Sequence, residues 1–262
     1  MKFKKNTDLL LRLIAIPVVI ILVLVLIIKA ALWLRSFPQS QPSPAPRVLT
    51  FGIIIPKGYS VHGIDVSKHQ ADIDWVRVSR MRNNGISINF AFIKATEGIT
   101  RQDHKFDKNW KGAARNGILR GAYHFYYPSR DADKQAQNFI SKVHLSKGDL
   151  PPVADIELSN VRSAVKIREG LQVFLNKLEK QYKVKPIIYT NIHFYNTYLK
   201  GSFNDYPLWI AGYFDHDRFY SEFSTSWILW QHSEKGKVDG IRGNVDFNVF
   251  NGNLEKLRKF CL

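Results

Sequence analysis

The chain has 262 residues, 45% of them hydrophobic and 13% aromatic, with a formal net charge of +16. Setting aside the first fifty or so residues leaves roughly 200, enough for one domain with a sizeable core. A single cysteine, Cys261, excludes an internal disulfide framework and a cysteine-rich metal site.

The charge is unevenly distributed. Residues 1–47 hold seven Lys/Arg against one acid, Asp8, and the remaining 31 bases and 21 acids leave +10. The first excess reads as membrane topology. The second suits an anionic partner (nucleic acid, acidic lipid or acidic wall polymer) or a plain solvated basic surface. No zinc-finger, basic-zipper or RNA-recognition pattern occurs, so nucleic acid is not an expected partner.

Residues 13–28 are uncharged and almost wholly aliphatic. As a helix they span roughly 24 Å, and the run gains length if Lys29 snorkels and Ala30 to Leu34 stay buried. Lys2, Lys4, Lys5 and Arg12 precede it and favour a cytoplasmic N-terminus, although Lys29, Arg35 and Arg47 make the bias modest. The expectation is a cytoplasmic tip and one transmembrane helix over 1–35. A cleaved signal peptide ending near Ile28-Lys29-Ala30 is the alternative. Either reading exports the rest of the chain.

Residues 36–47 carry prolines at 38, 42, 44 and 46, a stiff spacer reaching on the order of 35 Å. Residues 48–60 are too apolar for a solvated linker and are expected to dock on the domain as an extra strand or arm. This divides the chain into an anchor (1–35), a linker with docking arm (36–60) and a functional domain (61–262).

Eight short apolar runs then read as strands: 61–67, 88–96, 118–126, 152–158, 186–191, 208–213, 227–232 and 245–250. Helical patterns fill the first five gaps. The clearest puts Leu171, Phe174, Leu175, Leu178 and Tyr182 on one face, and Gly85 and Gly117 sit where helices would end. Segments 214–226 and 233–244 read as loops or hairpin arms. Alternating strands and helices imply an α/β fold, a parallel barrel or open sheet, that loses its helices in the last third.

Asp65, Asp155, Glu157 and Asp246 lie at or just past the ends of these strands, where a β/α barrel gathers its functional residues. Asp155 and Glu157 are two apart, so both point to one face with Cα atoms roughly 6.6 Å apart. Burying two carboxylates together is costly, and their crowding raises one pKa while leaving the other group ionised. Glycoside hydrolysis needs such a donor and anion. An early strand end with two solvated acids is the plain alternative for so short a motif.

Aromatic residues gather at the same ends: Tyr123, Phe125, Tyr126 and Tyr127, then Tyr189, Trp209, Tyr213, Trp227 and Trp230. Phe125 and Trp227 read as core. For Tyr126, Trp209 and Tyr213, core packing and sugar stacking both stand. His62, His69, His124, His193 and His232 lack metal-ligand spacing, and no nucleophile elbow, Walker loop or dinucleotide fingerprint is present. No metal or cofactor is expected.

The motifs now form a recognisable series. His62-Gly-Ile-Asp-Val-Ser-Lys-His-Gln70 with Asp74-Trp75, Phe90-Ala-Phe-Ile-Lys-Ala-Thr-Glu-Gly98, Gly121-Ala-Tyr-His-Phe-Tyr126, Val153-Ala-Asp-Ile-Glu157, Ile188-Tyr-Thr-Asn191, Leu208-Trp-Ile-Ala211, Trp230-Gln231 and Val245-Asp-Phe-Asn248 follow in order. Together they resemble glycoside hydrolase family 25, the Chalaropsis-type lysozymes, over roughly residues 61–250. The resemblance implies an irregular TIM-like barrel of eight strands and about five helices. It also implies an N-acetylmuramidase cutting the β-1,4 bond between N-acetylmuramic acid and N-acetylglucosamine in peptidoglycan.

By that likeness Glu157 is the general acid and Asp155 the carboxylate that orients the substrate's N-acetyl group or stabilises developing positive charge. Asp65 and Asp246 complete an anionic cleft, and the substrate-binding set becomes Tyr126, Tyr189, Trp209, Tyr213 and Gln231. The expected partners are glycan strands and, through the anchor, a membrane, with the chain monomeric. Two other functions stay open: a non-catalytic tethered wall-binding protein, and a hydrolase of another N-acetylglucosamine polymer such as chitin.

Overall fold

The computed structural model describes residues 49–262 apart from 160 and 162, together with Lys29. The expected transmembrane run and the proline-rich spacer lie outside the described residues. Among the described residues no helix is long and apolar enough to cross a membrane.

A small hairpin, β1 (Leu49–Thr50) and β2 (Ile53–Ile54), comes first. Its turn residues Phe51 and Gly52 both adopt positive φ, 58° and 73°, the primed geometry that suits a tight antiparallel pair. Phe51 tolerates this because its ring is buried against Phe247, with centroids 4.8 Å apart, and its carbonyl accepts from the Lys237 amide at 2.7 Å.

Eight strands then close a barrel. They are β3 (His62–Val66), β4 (Ile88–Glu97), β6 (Leu119–Phe125), β7 (Val153–Asp155), β8 (Ile187–Asn191), β9 (Leu208–Ala211), β10 (Leu229–Gly236) and β11 (Val245–Phe250). A two-residue strand, β5 (Arg101–Gln102), folds back on the end of β4. Neighbours from β3 through β10 are parallel, whereas β11 runs antiparallel to both β10 and β3 and seals the ring. The eight predicted runs coincide with these strands to within a few residues at each end.

Period-two alternation sorts each strand between two cores. Phe90, Phe92, Val153, Ile187, Trp209 and Leu229 fill the barrel interior. Ala91, Ile93, Ala122, Ala154, Ile188, Ile210, Phe247 and Val249 face outward against the helices. Large rings inside need small partners. The Phe90 ring occupies the space where a Cβ on Gly63 would sit, 2.3 Å away, and Phe92 does the same to Gly121.

The helices are α1 (Trp75–Arg80), α2 (Phe106–Arg115), α3 (Ala132–Lys142), α4 (Ala164–Tyr182), α5 (His216–Glu222) and α6 (Leu254–Phe260). A short helical segment, Ile192–Phe194, runs into a π-turn before β9. Helix α4 buries Leu171, Phe174, Leu175 and Leu178, as its spacing predicts, and Tyr182 donates to the Val143 carbonyl at 2.9 Å. Gly117 takes φ 72° just past α2. Gly85 instead belongs to a separate turn, since α1 stops five residues earlier at Arg80.

With the short segment at Ile192–Phe194 filling the fifth gap, two described helices, α5 and α6, exceed the five expected. Segment 214–226 contains α5, which the reading as a loop misses because it is only seven residues long. Asp215 caps it by accepting from the Arg218 amide, and Phe219 anchors it by stacking on Trp230 at 3.9 Å. Segment 233–244 is the hairpin arm between β10 and β11.

Candidate active site

Alternation aims one residue in two from each strand into the barrel, and at the C-terminal mouth those residues change from apolar to ionisable. On β4 the inward series Phe90, Phe92 ends in Lys94, and on β7 Val153 is followed by Asp155, with Glu157 two residues past the strand end. Register places Glu97, Phe125, Asp155, Tyr189 and Trp209 in one row across β4, β6, β7, β8 and β9. Asp65 comes from the end of β3. Asp246 comes from the start of β11 and reaches the same face because that strand is reversed, so the two stand directly opposite in the ladder. All four acids border one cleft of about 350 Å3.

Asp65 is held by a dense network. Its Oδ2 accepts from Gln231 Nε2 at 2.9 Å and from Asn248 Nδ2 at 2.8 Å. Gln231 Oε1 in turn accepts from the Tyr189 and Tyr213 hydroxyls at 2.9 and 2.8 Å, and Asn248 Oδ1 accepts from Trp209 Nε1 at 2.8 Å. Burial raises the Asp65 pKa while the bonds from Asn248, Gln231 and Asp246 oppose the rise. Asp246 is pushed up to about 9, first by burial and then by the charge of Asp65, to which it is hydrogen-bonded. Asp246 therefore holds its proton at neutral pH and directs it at Asp65.

Asp155 and Glu157 lack such support. Asp155 is buried, and its Oδ1 has no hydrogen-bond partner among the described residues. Burial first, then the charge of Glu157, push its pKa well up. Glu157 is also raised, by burial and then by the charge of Asp65. Lys94 pulls both downward. Both shifts run toward the protonated form, the direction that acid catalysis requires.

The expected sugar-binding residues separate. Tyr213 is 50% exposed and offers an open face, while Tyr189 and Trp209, 7% and 2% exposed, form the floor of the cleft. Gln231 borders the cleft at 2% exposure, but its amide is already engaged by Asp65 and the two tyrosines, so it orients them. Tyr126 is a correction. It points outward, 1% exposed, packing on Phe174 at 5.2 Å with its hydroxyl beside Gly170 beneath α4.

Phe125 is a second correction. It lines the cleft, and the Lys94 ammonium sits 4.7 Å from its ring centre. Parity carried both answers: Phe125 shares the inward face with Tyr123, and Tyr126 shares the outward face with His124. Trp227 is core, as expected. The motifs did not single out Lys94, Glu234 or Asn248, which also line or support the cleft. For Lys94, parity with Phe90 and Phe92 was the available signal.

A closed β/α barrel with two pairs of carboxyls of raised pKa at its C-terminal mouth, over an aromatic floor, defines a glycoside hydrolase. The family profile "Glycosyl hydrolases family 25" matches residues 64–241. The chain belongs to that family. The uncharacterized protein YegX of Escherichia coli (strain K12) is 49% identical over 213 residues, covering 81% of this chain and 78% of that protein. Lysozyme M1 of Streptomyces globisporus is 35% identical, covering 75% and 70%. Among solved structures, a family 25 glycosyl hydrolase from Bacillus anthracis superposes with a TM-score of 0.70 at 32% identity, over 79% of this chain and 96% of that one.

Proposed function

We propose that the chain is a muramidase hydrolysing the β-1,4 bond after N-acetylmuramic acid in peptidoglycan. The observation that carries this is the unsupported Asp155–Glu157 pair at the mouth of a family 25 barrel, and the name of the Streptomyces relative supports it. Glu157 donates its proton to the glycosidic oxygen as the bond breaks. Asp155 faces the substrate's acetamido group. That N–H supplies the hydrogen bond Asp155 Oδ1 lacks, which favours Asp155 as the anion and leaves the retained proton on Glu157. Asp65 and Asp246 hold the opposite wall, where the negative charge of Asp65 faces the positive charge that develops at the reacting sugar.

The test uses the whole chain in detergent on purified sacculi, with borohydride reduction and mass analysis of the products. Muramic acid at the new reducing ends, and no release by Glu157→Gln, is the expected result. Full activity in that variant sinks the assignment. Binding to sacculi with no cleavage favours a wall-binding protein, and faster cleavage of chitin favours the other polymer.

The uncharged run at 13–28 and the cations before it support a further proposal: a single-pass anchor with the domain outside the membrane. Alkaline phosphatase fused after residue 262 is then active in intact cells. An inactive fusion, made in full, overturns it.

A further inference from the structure

Beside the cleft lies a second pocket, of about 370 Å3, lined by Glu97, Gly98, Ile99, Arg101, Tyr127 and Arg130. Two links join it to the first. Glu97 Oε2 takes the Lys94 ammonium of the cleft at 2.8 Å, while its Oε1 takes the Arg101 guanidinium at 2.8 Å and the Tyr127 hydroxyl at 3.0 Å. Phe125 of the cleft meets Tyr127 of the pocket edge-on, with centroids 5.3 Å apart.

The pocket is built on fixed backbone. Residues 97–101 form the β4–β5 hairpin, and the buried Asn138 clamps it by donating from Nδ2 to the Gly98 and Arg101 carbonyls at 2.9 and 3.1 Å. The Gly98 amide donates to the Phe125 carbonyl at 3.1 Å. Its charge is unbalanced. Arg101 and Arg130 set two cations against the single anion Glu97, which Lys94 also neutralises from the cleft side and which is held down to about 2 although burial opposes it. Among the described residues the exposed Arg130 guanidinium has no ion-pair or hydrogen-bond partner. Such a surface takes a carboxylate, and a planar guanidinium takes it bidentately.

Register gives the distance. Glu97 is two strands from Asp155 in the same row, roughly 10 Å at ordinary strand spacing. An extended peptide covers that in about three residues.

Resting on the muramidase reading, we propose that this pocket binds a carboxylate of the stem peptide carried by the muramic acid in the cleft, so that the enzyme prefers peptide-bearing glycan strands. Peptide-free muramic acid also offers a carboxylate, on its lactyl group, but that group lies too close to the sugar ring to reach the pocket.

Three tetrasaccharides separate the sources by equilibrium titration against the full chain carrying Glu157→Gln: chitotetraose, the alternating muramyl tetrasaccharide stripped of peptides, and the same compound bearing tripeptide stems. The stem-bearing compound is expected to bind about tenfold more tightly than the stripped one, that is, by about 1.4 kcal/mol. Adding Arg101→Gln with Arg130→Gln brings the two within twofold. Because losing Arg101 could loosen the hairpin, Arg130→Gln alone is the second variant, expected to cut the preference at least threefold. Equal binding of stripped and stem-bearing compounds, or a preference that survives these substitutions, overturns the proposal. Wild-type turnover of the same compounds is read separately. A stem preference without any cleavage supports the pocket and overturns the muramidase reading.

Discussion

Asp65 and Asp246 meet across an antiparallel pair and sit inside a network of two amides, two phenols and an indole. Asp155 ends one short strand and Glu157 follows two residues on, with an oxygen of Asp155 that no described residue satisfies. Each pair has one buried and one half-buried acid and in each the pKa values are raised, yet one is surrounded by donors and the other is left incomplete. The first is shaped by the protein for its own sake. The second is completed only by something that enters the cleft, and the chemistry should therefore concentrate there.

Substitutions can break that contrast. The largest expected effect is Glu157→Gln, which lowers kcat on the order of a thousandfold in a reducing-end assay. It should not lower the unfolding midpoint, because a half-buried acid that resists ionisation is replaced by a neutral amide. Next is Asp65→Ala, which strands the Gln231 and Asn248 amides and costs about 3 kcal/mol by denaturant unfolding. Asp155→Asn should cost less than about 1 kcal/mol in the same measurement. If Asp155→Asn proves the more destabilising, the contrast between the pairs is wrong.

The pH dependence sharpens it. Between the unfolded carboxylate pKa and about 9, native Asp246 holds a proton that the unfolded chain has released. The native state binds more protons, so stability falls as pH rises. The limit is about 1.4 kcal/mol per pH unit for one group. Buried His62, His124 and His232, all lowered, slope the other way below their unfolded pKa, so pH 7 to 9 is free of them, although Asp155 and Glu157 slope the same way as Asp246. Asp246→Asn should reduce the urea-derived slope in that window, and an unchanged slope would place the proton elsewhere. The smallest effect is Tyr213→Phe, which loses one bond to Gln231 and about 1 kcal/mol or less. Its KM should rise severalfold with kcat nearly kept.

Much of this was legible beforehand. The eight strands were readable because each is a short apolar run bounded by turn residues, and α4 because nineteen residues repeat one face. Helix α5 was not, since seven residues hold too little periodicity and its stability comes from Phe219 on Trp230, a contact distant in sequence. Asp155 and Glu157 were visible as a spaced pair. The roles of Gln231 and Asn248 were not, because they depend on which amide atom faces Asp65, and only the folded network fixes that. Tyr126 and Phe125 were readable by parity alone, and there the motif misled because one dense aromatic run spans both faces. The pocket at Arg130 had no local signal. It exists because a hairpin, a strand end and Asn138 of α3 converge.

The reversed strand has a consequence in time. The ring closes through β3 against β11, the first and last barrel strands of the chain, and that same pairing sets Asp246 opposite Asp65. Every other strand can find its neighbour soon after it is synthesised, but this one waits for nearly the whole domain. A chain still emerging therefore has Asp155 and Glu157 without the wall that faces them. The Asp65–Asp246 pair is therefore assembled only with the last barrel strand, and the cleft is whole from that step onward.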